Sequence, residues 1–252
     1  MNSSPLSPPG VGPSSGAARG GGGEPLALLA GFLPPSEVAR ARALLLGVAS
    51  PSIESFVNIE AREETEWLYA KLLDAALVAL PMATSEAAGV ELVAADPMIL
   101  DRFGPAFTSP RFRWHADAMR GDGRLVSVVL YLSATSEYVG GDFCAQVECE
   151  GEGDGAGDGD GEGAPAPAPA LPRALAERSV GFVRDATRSF HKFRFEAGDV
   201  VAFESCALEH CVTDVKAGTR ISTLLIAGDG AFDRTMHGVP YAPSRAERGG
   251  AE

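Results

Sequence analysis

The chain has 252 residues, a formal net charge of −13 and a pI near 4.8. Its length suits one domain with appendages, and a hydrophobic content of 45% is enough for a packed core. The acidic balance argues against broad binding to a phosphate backbone, which requires a basic face. The sequence has no transmembrane run and no evident secretory signal, so we expect a cytoplasmic or nuclear protein with no membrane partner.

Three segments have compositions that do not support a core. Residues 1–23 are rich in Ser, Pro and Gly, which predicts a disordered tail. Residues 148–171 alternate acid with glycine and then alanine with proline, which predicts a flexible acidic insert. Residues 229–252 are polar and are expected to be a loose tail. The folded domain is therefore predicted to span 24–228, interrupted by the insert.

Two helices are expected in the first third of the chain. Ser36 and Glu37 are typical of a helix start, and Gly47 is a plausible stop. Residues 60–80 have apolar side chains at near-helical spacing, and Pro81 is expected to end this second helix. Its aromatic residues Trp67 and Tyr69 are assigned to the core. Both helices are expected to cover one face of a β-sheet.

Short apolar runs separated by turn residues follow from residue 90 onward. Residues 125–132 are almost wholly apolar, which predicts a strand buried on both faces. Residues 210–215 and 220–227 are expected to form a hairpin-like pair. Further strands are predicted at 111–116, 142–147, 180–183, 190–195 and 200–203. This pattern favours a mainly β fold with N-terminal helices, a double-stranded β-helix or cupin-like jelly roll.

A candidate metal site lies in the segment Trp114-His115-Ala116-Asp117. Residues two apart in a strand share a face, so His115 and Asp117 can point at one metal ion. His210 offers a third ligand. Two histidines and one carboxylate, with other positions open, are the ligands of non-haem Fe(II) oxygenases. The alternative is that His115 is a surface histidine beside a solvated Asp117.

Arg220 follows His210 by ten residues and adds to this site. A 2-oxo acid cosubstrate needs a fixed cation for its distal carboxylate, and a guanidinium binds a carboxylate through two parallel hydrogen bonds. An ordinary surface arginine is the alternative.

Other metal assignments remain open from the sequence alone. The cysteines at 144, 149, 206 and 211 could bind structural zinc, although their spacing is not of the usual kind, and free thiols are the alternative. No disulfide framework is implied. His191 could replace one of the three ligands, whereas His237 lies in the predicted tail and is not assigned.

Five motifs in this order resemble the 2-oxoglutarate and Fe(II)-dependent dioxygenases, with the prolyl 4-hydroxylase type as the closest branch. The resemblance covers roughly residues 90–228. It rests on His115-Ala116-Asp117, Gly121-Asp122-Gly123-Arg124, Tyr131-Leu132, Gly140-Gly141-Asp142-Phe143 and the segment from His210 to Arg220.

The resemblance implies that His115, Asp117 and His210 bind Fe(II) and that Arg220 binds 2-oxoglutarate. It also implies that Tyr131 contacts the cosubstrate. Ser222 lies on the same strand face as Arg220, and its hydroxyl either contacts the cosubstrate as well or forms a hydrogen bond within the core. A carboxylate at position 117 disfavours halogenation. Family members often have a tyrosine about ten residues before the first histidine. Residues 101–105 contain none, so either Tyr131 suffices or another group substitutes.

The implied function is that of an oxidoreductase, a dioxygenase that uses O2 and 2-oxoglutarate to hydroxylate an unactivated C–H bond. Succinate and CO2 are released, and L-ascorbate (vitamin C) keeps the iron reduced. The expected substrate is peptidyl, of prolyl type, or a small molecule. The alternatives are an inactive metal-binding or partner-binding jelly roll, and a nucleic-acid demethylase of the same superfamily. The sequence does not define the oligomeric state.

Overall fold

The computed structural model describes residues 26–48, 57–83, 92–105, 113–119, 123–146, 171–184 and 188–229. The predicted N-terminal tail lies outside these residues. The predicted acidic insert and C-terminal tail also lie outside them, apart from one residue each at 171 and 229.

Two long helices precede most of the strands, as expected. The described helices are α1 (Pro35–Val48), α2 (Glu63–Ala83) and the single-turn α3 (Arg173–Ala176). Helix α2 begins with three acidic residues in its first turn, which suit the positive end of the helix dipole. Leu68, Leu72 and Ala76 recur at a spacing of four and are fully buried. The helix extends two residues beyond Pro81, where the sequence predicted its end.

The larger of two main sheets holds seven strands among the described residues. They are β1 (Leu26–Leu29), β2 (Val57–Ile59), β3 (Leu92–Ala94), β4 (Met98–Phe103), β5 (Arg124–Tyr131), β10 (Val200–Glu204) and β13 (Arg220–Asp229). Their order is β1-β10-β5-β13-β4-β2, and β3 pairs with the far end of β13. Every pairing is antiparallel.

A four-stranded sheet faces the larger one, and a two-stranded ribbon accompanies it. The smaller sheet contains β7 (Phe143–Ala145), β8 (Ser179–Arg184), β9 (Ser189–Phe193) and β11 (His210–Val212), in the order β11-β7-β9-β8. The ribbon contains β6 (Tyr138–Gly140) and β12 (Val215–Gly218).

Strand β5 is buried on both faces, as its apolar sequence predicts. Val128 and Leu130 pack with the helices in one core cluster. Val129 and Tyr131 belong to a second cluster, between the two sheets. The protein is therefore mainly β with an N-terminal helical layer, and its two facing sheets form a double-stranded β-helix.

The predicted hairpin between residues 210–215 and 220–227 is wrong. Strand β11 pairs with β7 in the smaller sheet, whereas β13 pairs with β3, β4 and β5 in the larger one. The intervening residues form β12, which pairs with β6. In a jelly roll, strands close in sequence cross between the sheets, so short connections do not guarantee pairing. No helix in the described residues is long and apolar enough to cross a membrane.

Gly218 enables the tight turn between β12 and β13. Its φ of +76° is in the left-handed region, and a Cβ there would overlap the backbone oxygen of Glu137. We expect Gly218→Ala to lower the free energy of unfolding by about 1–2 kcal/mol or more, because both strain and overlap oppose the methyl group. Thermal unfolding measures this.

Gly47→Ala is the matched control, because this glycine lies in helix α1 and an added Cβ would point into open space. It should be neutral or stabilise by up to about 1 kcal/mol. Equal melting temperatures for Gly218→Ala and the wild-type protein would contradict the proposed role of the turn.

Candidate metal centre

Two backbone hydrogen bonds join His115 and His210. Each residue donates its N–H to the carbonyl oxygen of the other, with N···O distances of 3.0 and 2.9 Å. They form an isolated antiparallel bridge, and their rings lie 4.4 Å apart between centroids. Directly opposite residues of an antiparallel pair place their side chains on one face. The two imidazoles are therefore positioned by the backbone itself.

Asp117 completes the cluster from a bend rather than from a strand. The sequence predicted a strand over 111–116; residues 111 and 112 lie outside the described part, and His115 makes only the single bridge. The chain then bends, and the Ala118 N–H donates to the Ser205 carbonyl at 3.0 Å. Asp117 Oδ1 lies 3.5 Å from His115 Nε2 and 3.7 Å from His210 Nε2.

Both imidazoles present the same nitrogen to the carboxylate. His115 Nδ1 lies 2.8 Å from the Arg113 carbonyl oxygen, and His210 Nδ1 lies 3.2 Å from that of Leu208. A carbonyl only accepts, so each Nδ1 carries the proton and each Nε2 keeps its lone pair. Metal-binding histidines are usually oriented in this way.

The protonation states also suit a metal. Burial lowers the pKa of His210, which favours the neutral imidazole. Burial alone would raise the pKa of Asp117, but the adjacent imidazoles of His115 and His210 lower it below its ordinary value. Neutral imidazole and ionised carboxylate are the forms that bind a cation.

The three predicted ligands are brought together, and the alternative ligands are not. One ligand atom from each of His115, Asp117 and His210 lies within 4.8 Å of the others. In the described part of the chain, neither His191 nor a described cysteine joins a cluster of three possible ligands. Cys149 and His237 lie outside that part. The donor set of two nitrogens and one carboxylate fits Fe(II).

Arg220 lies at the start of β13 with only 2% of its surface exposed. Its Nε and Nη1 atoms are buried and have no hydrogen-bond partner. The guanidinium lies 5.0 Å from the Tyr131 ring centroid and 5.6 Å from that of Phe103. A Cβ on Gly141 would meet Arg220 Cδ at 3.0 Å, so glycine makes room for the side chain.

Tyr131 and Ser222 share the environment of Arg220. They are opposite one another in the pairing of β5 with β13, so both point to the face that carries Arg220. Both hydroxyl oxygens are buried without a hydrogen-bond partner. Burial raises the pKa of Tyr131, so its phenol stays protonated and can donate. One guanidinium and two hydroxyls thus lie on one face, and these hydrogen-bond donors suit an anion.

Several residues of this region escaped the sequence analysis. Phe143 and Phe203 pack on the His210 ring at centroid distances of 5.3 and 4.8 Å. The Ser127 hydroxyl helps to lower the pKa of Asp117. Asp101, in the stretch that lacks the expected tyrosine, is opposite Ser222 across β4 and β13. Only alternation within β4 could have indicated that Asp101 faces inward.

A double-stranded β-helix that groups two histidines, an aspartate and a buried arginine defines a class of mononuclear, metal-dependent oxygenases. Residues 104–226 match the model of the 2OG-Fe(II) oxygenase superfamily. This match confirms the resemblance found in the sequence. No curated protein sequence matches the chain.

Solved structures share the fold at low identity. A Pseudomonas putida prolyl-4-hydroxylase is 18% identical, with a TM-score of 0.50 over 82% of this chain and 89% of its own. AviO1 from Streptomyces viridochromogenes Tue57 is also 18% identical, with a TM-score of 0.51 over 88% and 94%. A Trichoplax adhaerens prolyl hydroxylase, solved with a hypoxia inducible factor peptide, is 13% identical, with a TM-score of 0.50 over 85% and 87%.

Removal of one imidazole should weaken metal binding. We expect His210→Ala to weaken Fe(II) binding at least about tenfold, as changes even in groups that merely orient metal ligands cost 10–100-fold. His191→Ala is the matched control and should bind Fe(II) like the wild-type protein, because His191 is outside the cluster. Anaerobic calorimetry measures both affinities. Wild-type affinity in His210→Ala would show that the ligand set is misassigned.

Proposed function

We propose that the protein is a 2-oxoglutarate- and Fe(II)-dependent dioxygenase that hydroxylates an unactivated C–H bond of a peptidyl, prolyl-type substrate or of a small molecule. His115, Asp117 and His210 are the proposed Fe(II) ligands. When bound, Fe(II) supplies the oxidation chemistry with O2 and 2-oxoglutarate, and succinate and CO2 are released. L-Ascorbate is the proposed reductant that keeps the iron active.

The observation that carries this proposal is the buried cation of Arg220 on the inner face of the larger sheet. Donors of Arg220 that are both buried and unpartnered are costly unless an anion binds them. A dicarboxylate such as 2-oxoglutarate offers a distal carboxylate for the guanidinium and a 2-oxo acid end for the metal. A partner-binding jelly roll needs neither group, so the combination favours an enzyme.

Different residues of the chain bind 2-oxoglutarate and exclude water from the metal ligands. Arg220 holds the distal carboxylate, and Tyr131 and Ser222 donate hydrogen bonds from the neighbouring strand positions. Phe143 and Phe203 pack around His210 and exclude water from that side of the ligand set. Exclusion of water strengthens every charge interaction in the pocket.

The charge of the chain supports a peptidyl or small-molecule substrate over nucleic acid. The predicted insert contributes seven of the acidic residues, between Glu148 and Glu162, and no basic residue. Such a segment repels phosphate backbones over about 8–10 Å in physiological salt and attracts cationic peptides. Nucleic-acid demethylation is therefore the second candidate.

Arg220→Lys tests the cosubstrate assignment. Lysine keeps the charge but lacks the fork, so the Kd for 2-oxoglutarate should rise about ten- to hundredfold, since a charged hydrogen bond contributes roughly 1.5–3 kcal/mol. The measurement is an anaerobic titration of the Fe(II)-loaded protein, followed by the visible metal-to-ligand charge-transfer band. An unchanged Kd in Arg220→Ala would refute the assignment, and no band in the wild-type protein would refute the proposed activity.

A substrate panel separates the candidate functions. We expect proline-containing peptides with basic flanks, or small molecules, to increase succinate release in air. Single- and double-stranded oligonucleotides should bind weakly at both low and moderate salt, because the chain lacks a basic stripe. A variant lacking residues 150–170 is the control for the insert. Tight, salt-sensitive oligonucleotide binding by the intact protein would favour the demethylase.

A further inference from the structure

His191 stands in the same cross-strand row as the two histidines of the metal cluster. In the smaller sheet, His191 on β9 is opposite Ala145 on β7. Ala145 is also opposite His210 on β11, and His210 forms the bridge with His115. Opposite residues share a face, so all four side chains point to the interior between the sheets. Two strand spacings separate the backbones of His191 and His210 by roughly 9–10 Å.

The His191 side chain is buried without a hydrogen bond. Only 3% of its surface is exposed, and neither Nδ1 nor Nε2 has a partner. Its ring contacts are Phe182 and Phe193, at centroid distances of 4.8 and 5.8 Å. Burial lowers its pKa, so the imidazole is neutral and offers one donor and one acceptor.

The next layer of the interior is apolar. Phe193 lies two residues after His191 on β9 and stacks on Phe195, and Phe143 also contacts Phe195. Phe195 reaches Tyr131, near Arg220. On this face of β9, His191 lies between Ser189 and Phe193. It stands at the level of the metal cluster rather than at the level of Arg220.

A purely structural role does not account for an imidazole here. The same stacking on Phe182 and Phe193 would be made by a phenylalanine, which has no polar atoms to desolvate. Two buried polar atoms without partners reduce stability. Such local costs are expected where a ligand supplies the missing partner. Ala145, which lies between His191 and His210 in the row, has only a short side chain.

We propose that His191 is a substrate-contacting residue, which hydrogen-bonds a neutral polar group, such as a peptide carbonyl, next to the C–H bond presented at the metal. This inference rests on the proposed function and adds a specificity determinant to it. Because His191 is absent from the metal cluster and from the Arg220 pocket, it is assigned to substrate and not to Fe(II) or 2-oxoglutarate.

The first test compares stability in the metal-free protein. His191→Phe should raise Tm by about 2–8 °C, because it removes two unsatisfied polar atoms and keeps the ring. His191→Gln keeps the hydrogen-bonding groups and should not gain this stability. A Tm of His191→Phe equal to or below that of the wild-type protein, with His191→Gln also unchanged, would overturn the inference without any substrate.

The second test uses the proline-containing peptide from the panel that gives the greatest succinate release. His191→Phe should raise the peptide KM about three- to tenfold, the usual effect of losing one neutral hydrogen bond. The Kd for 2-oxoglutarate should be unchanged, and His191→Gln should recover part of the loss. Lys192→Gln, on the opposite face of the same strand, is the control and should behave as wild type.

The outcomes separate this inference from the proposed function. If the wild-type protein hydroxylates the peptide and His191→Phe has the wild-type KM, the inference fails and the proposed function stands. If the wild-type protein shows no charge-transfer band and no turnover, the proposed function fails and the inference fails with it. A rise in the 2-oxoglutarate Kd of His191→Phe would reassign His191 to the cosubstrate pocket and overturn the inference.

Discussion

The site depends on the pair of backbone hydrogen bonds between His115 and His210. These bonds join the short segment before β5 to the edge of the smaller sheet, and they fix both Cα–Cβ directions at once. The carbonyls of Arg113 and Leu208 then set the rotation of each ring. Asp117 lies in a bend rather than in a strand. The Ala118 N–H donates a hydrogen bond to the Ser205 carbonyl oxygen and so fixes the position of this bend. Main-chain groups of the same two segments thus orient the three proposed ligands.

The buried guanidinium of Arg220 imposes the second constraint. A cation so deep in the protein is tolerated only if nearby groups support it, and the ring faces of Tyr131 and Phe103 do this in part. The backbone makes the space: Gly218 allows the turn that starts β13, and Gly141 leaves room for the side chain. The same low dielectric that penalises the unpaired donors strengthens their attraction for an incoming carboxylate.

The sequence predicted three residues that the fold brings together at the proposed metal site, but it did not predict the strand pairings that hold them there. Four residues stand out in the sequence because their types and their order are unusual together: His115, Asp117, His210 and Arg220. Residue type and order can be read without knowing where each strand ends. The expected strand around His115 and the hairpin before β13 are wrong, because both were inferred from local patterns. Pairing across a jelly roll joins distant segments, as when β7 pairs with β11. For the same reason Phe143 and Asp101 could not be placed beside the site.

Two buried tyrosines show how the fold separates structural from binding surfaces. Tyr69, on the helical side of the larger sheet, donates to the Ile59 carbonyl and accepts from the Met98 N–H, and burial raises its pKa to about 12. Tyr131, on the inner side, is equally buried but its hydroxyl has no partner. Tyr69 completes its hydrogen bonds because its position on the helical side only has to stabilise the fold. The inner face leaves Tyr131, Ser222, Arg220 and His191 incomplete, and large apolar clusters on both sides of the sheet provide the stability that makes this tolerable. Incomplete polar groups in a rigid frame are what a preorganised binding pocket requires, since a ligand then gains hydrogen bonds without first breaking others.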